Sequence, residues 1–262
     1  MTDGSLVGDK VSPIGEEMIA GGLQGFLIEN DFADEYGIKT LDDLNSNADA
    51  LAAFDAVDPL PGNGKADIYG CPESWTCDNI ITAQIAFSGL DNVQQVIAGY
   101  DAMFAEAVDK ANSDTPFVAY TWTPSAYVTE LRPGDNVYWV GLNDILDDSN
   151  PTDFEGGEEF DQRPGTAAID ASLCPAAADH PDGLCPIGWL AADILVTANN
   201  EFMDANPAAM RLFEVVKLSV IEVSLANVAQ GEGEDPKDLA AAWITNNPVS
   251  YTHLTLPTKR IV

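Results

Sequence analysis

The chain has 262 residues, enough for one large domain or two lobes, and 46% of them are hydrophobic, so a substantial core can form. Lysine and arginine total 11 against 43 aspartates and glutamates, a formal charge of −32 that leaves no room for a broad basic patch and disfavours nucleic acid and anionic membrane surfaces as partners. No apolar run reaches the about 18–20 residues that span a bilayer, and two histidines, His180 and His253, are too few for a multi-histidine metal site and leave little for a Ser/His/Asp triad.

In chain order, the polar, glycine-rich opening MTDGSLVGDK lacks the charged and then apolar pattern of a leader peptide. LQGFLI (23–28) reads as a short buried strand. Thr40, with Asp43 three residues on, predicts a helix start, and that helix extends to about Phe54. Residues 58–70, DPLPGNGKADIYG, read as a Pro/Gly loop; its acids and asparagine hint at calcium, but the full EF-hand pattern is absent and a plain turn is preferred. Asp78 is expected to cap a helix to about Phe87. Between 93 and 108, Val93, Val96, Ile97, Tyr100, Phe104, Ala107 and Val108 follow helical spacing, interrupted near Gly99.

PFVAYTW (116–122) and NVYWVGL (136–142) read as buried strands, and the acidic, Pro/Gly-rich stretch 143–187 as a long surface excursion. DILVTA (193–198) predicts a strand, Asn206-Pro207 the start of a helix running to about Gln230, and 236–246 a last helix. Strands alternating with helices make the chain α/β. The final stretch VSYTHLTLPTKRIV (249–262) breaks with this character: it holds Lys259, Arg260 and His253, and Val249 to Thr258 can be encoded without a gap by a transposase-type sequencing adapter. It is therefore left out of the fold.

Four cysteines form two local pairs, Cys71/Cys77 and Cys174/Cys185. Their even number and short spacing suggest two disulfides and an oxidising compartment, with free thiols the alternative. The spacings do not match the usual zinc knuckle. No metal or cofactor is expected.

Two motifs carry the chemistry. In Gly70-Cys71-Pro72-Glu73-Ser74-Trp75-Thr76-Cys77-Asp78, a tryptophan sits in a tight loop just before a helix, where the amides of Thr76, Cys77 and Asp78 are unsatisfied donors suited to a carboxylate or phosphate. In Tyr120-Thr121-Trp122-Thr123-Pro124, a tryptophan ends a buried strand, where ligands gather in open α/β sheets. Two indole faces and a helix start suit a zwitterion with a bulky cation, each cation–π contact contributing about 0.5–2 kcal/mol; the alternative, which composition alone favours, is that both are core tryptophans. Trp139, Trp189 and Trp243 lie in apolar patterns and read as core.

With these residues in place, the chain resembles the substrate-binding proteins of glycine betaine/proline betaine ABC transporters over about residues 20–248. The likeness runs through QGFLIE (24–29), GKADIYGC (64–71), the Trp75-Thr76-Cys77 step, YTWTP (120–124), ELRPGDNVYW (130–139) and NPAAMRLFEVVKL (206–218). The resemblance implies a type II periplasmic-binding-protein-like, two-lobed α/β fold with lobe 1 incomplete. Residues 1–21 would end a lobe 1 segment and cross over, 22–183 form lobe 2 with the ligand-binding loops, and 184–248 return to lobe 1. It also implies a box of tryptophans around a trimethylammonium group, with Trp75 and Trp122 in the box, Thr76 and Cys77 as amide donors to the carboxylate, and a loop disulfide. The family's pattern has glycine where Thr76 stands, and its third box tryptophan and a carboxylate-binding histidine fall before residue 1.

The expected function is thus the non-enzymatic, extracytoplasmic ligand-binding component of an importer. Its partners would be glycine betaine or a similar quaternary ammonium zwitterion and the permease and ATPase subunits. The high acidity fits a high-salt setting. The rival readings are an exported hydrolase using a carboxylate pair drawn from Asp153, Glu155, Glu158 and Glu159, and a non-transport betaine or choline sensor of the same fold.

Overall fold

A computed structural model of the chain describes residues 7–146 and 165–247. The tail 249–262 and the acids Asp153, Glu155, Glu158 and Glu159 lie outside the described residues. The chain divides into two compact units, one of 1–22, 124–126 and 192–262, the other of 23–123 and 127–191.

The chain enters through a long strand of the first unit, β1 (Val11–Gly22), and passes directly into the second unit with β2 (Gln24–Glu29). Three short helices follow: α1 (Asn30–Tyr36), α2 (Leu41–Ser46) and α3 (Ala48–Asp55). The Thr40–Asp43 capping box forms at the start of α2. The expected single helix to Phe54 is broken at Asn47, whose side chain accepts from the Asp49 and Ala50 amides and so starts α3 afresh.

Next come β3 (Ala66–Tyr69), α4 (Thr76–Phe87), β4 (Val93–Val96), α5 (Tyr100–Ala111), β5 (Val118–Trp122) and β6 (Val137–Val140). The sheet order is β4-β3-β5-β2-β6. β4, β3 and β5 run parallel through the crossover helices α4 and α5, whereas β2 pairs antiparallel with β5 and β6.

Alternation along the strands sends side chains to both faces of this sheet. Phe26, Ile28, Ile68, Val118 and Val140 pack with Phe32, Leu41, Leu44, Phe54 and Ile81 in one core cluster. Leu27, Tyr69, Ala119, Val137 and Trp139 belong to a second cluster with Met103, Ala107 and Ala111 of α5. The described part of the expected surface excursion also joins that second cluster: Ala167, Ile169, Cys174, Ala176, Cys185 and Ile187 are buried there, and Ala167 bridges Cys185. Its Pro/Gly density marks irregular backbone rather than exposure.

Two further expectations give way here. The 58–70 loop ends at Lys65, and ADIY is a wholly buried strand. Asp58, the first acid of that stretch, accepts the amides of Leu60 and Asp67, and Asp55, just before it, takes those of Gly62, Asn63 and Gly64. Among the described residues no three acids, histidines or cysteines gather as a metal site would require. The helical spacing over 93–108, interrupted near Gly99, resolves into a strand followed by a helix, with Gly99 as N-cap of α5. Val93 and Val96 share helical spacing by accident of a four-residue strand.

In the first unit β7 (Ala192–Asn199) pairs antiparallel with β1 and leads into α6 (Asn200–Ala205), α7 (Pro207–Val215), α8 (Val220–Gly231) and α9 (Pro236–Asn246). Gly15, at φ +75°, lies so close to α7 that an added Cβ would meet the Phe213 carbonyl oxygen at 2.2 Å. The expected single helix to Gln230 is interrupted at Val216, where the backbone turns extended. Ser219 and Glu222 then form a capping box that begins α8. Trp243 is half-buried rather than core, its indole N–H donating to Glu222 Oε1 at 2.8 Å.

Candidate functional site

The three parallel strands bring both tryptophan motifs to one end of the five-stranded sheet. β3 runs out at Tyr69 into the Gly70–Trp75 loop, β5 ends at Trp122, and β4 is followed by Gly99 and the start of α5. The carboxyl ends of parallel strands are where such sheets bind ligands. Residues 70–78, Gly99, Tyr100 and Trp122 all belong to the second unit.

The loop is held at three places. Cys71 and Cys77 are joined by a disulfide, as are Cys174 and Cys185. The Trp75 amide donates to the Pro72 carbonyl at 2.8 Å. Gln95 of β4 lies between the loop and α4: its Oε1 accepts from the Cys71 amide at 3.4 Å, and its Nε2 reaches Asp78 Oδ1 at 2.7 Å and Thr82 Oγ1 at 2.8 Å. Gly70 is required by that side chain, because a Cβ there would meet Gln95 Oε1 at 2.3 Å.

Asp78 does not cap α4, as the sequence suggests; Trp75 is the N-cap, without a side-chain bond to the helix. Thr76, Cys77 and Asp78 are therefore the first three helical residues. The Asp78 amide donates to the Trp75 carbonyl at 3.3 Å, which removes it from the donors expected to be open. Thr76 and Cys77 stand at positions whose amides have no acceptor within a helix. Thr76 is exposed and Cys77 buried. Thr76 has no positive φ, so a side chain is accommodated at this position without backbone strain.

Trp75 and Trp122, 47 positions apart in the chain, meet with ring centroids 5.2 Å apart and planes at 66°. A third ring, Tyr100, closes a triangle, stacked on Trp75 at 5.4 Å and tilted against Trp122 at 4.5 Å. Tyr127 adds a flank, 4.7 Å from Tyr100 and 5.9 Å from Trp122. Trp75 is 39% exposed and Trp122 half-buried. A cation clasped between two facing rings needs their centroids about 7–8 Å apart, twice a van der Waals contact. The triangle is tighter than that, so the space between these rings does not admit a cation.

Burial holds the phenols of Tyr100, Tyr120 and Tyr127 well above the usual tyrosine range, so all three stay neutral. The aromatic surface thus offers π faces without a competing phenolate. Tyr127 donates to Asp101 Oδ1 at 2.8 Å.

Sequence reading missed Tyr100, Tyr127 and Gln95. Tyr100 and Gln95 fell within a segment read as helical spacing interrupted near Gly99, and that interruption was the available signal. Trp139 and Trp189 are core, at 3% and 8% exposure. Two surface clefts lie elsewhere: one of about 360 Å³ between Glu16–Gly21 and Lys217–Val220, and one of about 470 Å³ beside Lys39 and Asp179. Neither is lined by these aromatic rings.

The indoles of Trp75, exposed, and Trp122, half-buried, thus stand beside a disulfide-tied helix start at the carboxyl ends of the parallel strands of an α/β sheet. Comparison with known sequences is specific: a family profile described as the substrate binding domain of ABC-type glycine betaine transport systems matches residues 6–246, and the chain belongs to that family. It is 30% identical over 217 residues to the glycine betaine/proline betaine-binding periplasmic protein of Escherichia coli (strain K12), covering 82% of this chain and 57% of that one. The glycine betaine-binding periplasmic protein OusX of Dickeya dadantii (strain 3937) is 29% identical over the same coverage. The chain thus spans little more than half the length of these relatives.

Solved structures share the fold at low identity. The glycine betaine/L-proline-binding protein ProX of Borrelia burgdorferi superposes with a TM-score of 0.57 at 11% identity, covering 97% of this chain and 72% of that one. Lactococcal OpuAC, closed around glycine betaine, gives 0.54 at 12%, covering 94% and 71%.

Proposed function

We propose that the protein is the extracytoplasmic ligand-binding component of an ABC importer for glycine betaine or a related quaternary ammonium solute, with no catalysis of its own. The observation that carries this is the meeting of Trp75 and Trp122 at 5.2 Å, directly beside the helix start that presents the Thr76 and Cys77 amides. The indole faces take the trimethylammonium group by cation–π attraction and exclude water from its methyls. The two amides and the positive end of α4 take the carboxylate.

Asp78 sits in the same helical turn, and its negative charge opposes a ligand carboxylate; Gln95 Nε2 occupies Oδ1 of that side chain. The disulfide fixes the step from indole to amide, so the spacing between the two halves of the site does not depend on a mobile loop. In this reading lobe 2, residues 22–183, supplies these determinants, and permease and ATPase subunits receive the ligand. The family membership and the names of the relatives support the assignment.

The test is titration calorimetry of the intact gene product against glycine betaine, proline betaine, choline and carnitine. Saturable binding of at least one trimethylammonium compound, lost on replacing both tryptophans by alanine, is the expected result. Heat of binding to none of them removes the proposal.

A further inference from the structure

We propose that Tyr100 is a positioning residue for the two indoles, and that through it the first turn of α5 sets the preference of the site for a trimethylated over a less substituted ammonium; this rests on the functional reading above. Tyr100 is 7% exposed and does not present its ring to solvent. It contacts both indoles at once, lying nearly parallel to Trp75 at 28° and 5.4 Å and against Trp122 at 4.5 Å.

Its hydroxyl reaches Thr121 Oγ1 at 3.2 Å and the Tyr120 carbonyl at 3.4 Å, both on the strand that carries Trp122. One residue therefore ties the tryptophan of the loop to the tryptophan of the strand. The same helix start also fixes the flank: Asp101 accepts from the Tyr127 hydroxyl, and Phe104 stacks on the Tyr127 ring. Tyr100, Asp101 and Phe104 stand at i, i+1 and i+4, so the first turns of α5 hold the aromatic surface as one body.

Selectivity follows from the angle the rings keep. Methyl groups on nitrogen gain from contact with two faces held at a set angle, whereas an ammonium that retains an N–H needs an acceptor that ring faces do not supply. If the indoles splay, the trimethyl compound loses its second face and the less substituted one loses little.

The experiment compares Tyr100→Phe and Tyr100→Leu with the unaltered intact protein, measuring affinity for glycine betaine and dimethylglycine by calorimetry and indole asymmetry by near-ultraviolet circular dichroism. Tyr100→Phe, which keeps the ring, should hold both affinities within about twofold. Tyr100→Leu should weaken betaine about tenfold and dimethylglycine much less, shrinking their ratio, with loss of the indole bands. Equal weakening of both ligands would show mere structural support and overturn the proposal, as would an unchanged ratio, or an equal loss in the phenylalanine variant. If the unaltered protein binds neither compound, nor proline betaine, choline or carnitine, the functional reading fails by itself. The indole bands of Tyr100→Leu then decide the positioning claim, and unchanged bands refute it. Should Tyr100→Leu not fold, Tyr127→Leu is read the same way, and an unchanged ratio refutes the role given to this turn.

Discussion

Replacing Trp75 by alanine separates binding from folding better than any other change at the site. Trp75 is 39% exposed and rests on two rings, Trp122 and Tyr100. Each aromatic pair contributes about 0.5–1.5 kcal/mol beyond area burial, so the stability cost is about 1–3 kcal/mol. The loss in binding is set by one cation–π face, worth about 0.5–1 kcal/mol exposed and about 2 when desolvated. A partly exposed ring that the ligand itself covers lies between these, giving a loss of about 1–2 kcal/mol, or roughly 5–30-fold in Kd. Trp75→Phe should recover part of it.

Trp122 contacts Trp75, Tyr100, Tyr120 and Tyr127, so Trp122→Ala should cost more stability, about 3–5 kcal/mol. The assay is calorimetry with glycine betaine alongside urea unfolding of each variant. Unchanged affinity in a folded Trp75→Ala protein would refute the role of this indole, and a larger stability loss at Trp75 than at Trp122 would refute the packing argument.

Three other outcomes are expected. Burial raises the Asp58 carboxyl to about 6 from an ordinary 3.8, so the folded state holds its proton more tightly; stability from this group is full below about pH 4 and is lost as pH rises through 6. Asp58→Asn removes this pH dependence but sets its NH2 against one of the two amides that Asp58 accepts, so in urea melts the variant should be less stable than the unaltered protein near pH 4, with the deficit shrinking as pH rises to 8. Peptide mapping should recover Cys71–Cys77 and Cys174–Cys185 linked peptides, and removing the first bridge should cost about 2–3 kcal/mol and weaken betaine binding by freeing Trp75. Potassium chloride should raise the melting temperature steadily, because a charge of −32 repels itself across the surface; a flat salt dependence would contradict this.

Much of this molecule was legible locally. The strands β2, β5 and β6 are apolar runs, and the capping box at Thr40 is complete in four residues. Both tryptophan motifs announce themselves by what flanks them, a cysteine-bounded loop and the end of an apolar strand. The S-x-x-E step at Ser219 was equally local and was passed over because the apolar spacing of α7 and α8 runs through it.

The tertiary structure alone decided β3 and β4. They are four residues long, carry Asp67 and the pair Gln94-Gln95, and draw their stability from ladder partners and burial rather than from periodicity. Asp67 is almost fully buried because Asn63 and Gln94 donate to it, a compensation invisible before the chain is folded. The aromatic triangle depends on the same fact. Trp75, Tyr100 and Trp122 come together only because β3, β4 and β5 run parallel and release their chains at one end of the sheet, and pairing between strands far apart in sequence leaves no local mark on the residues it unites.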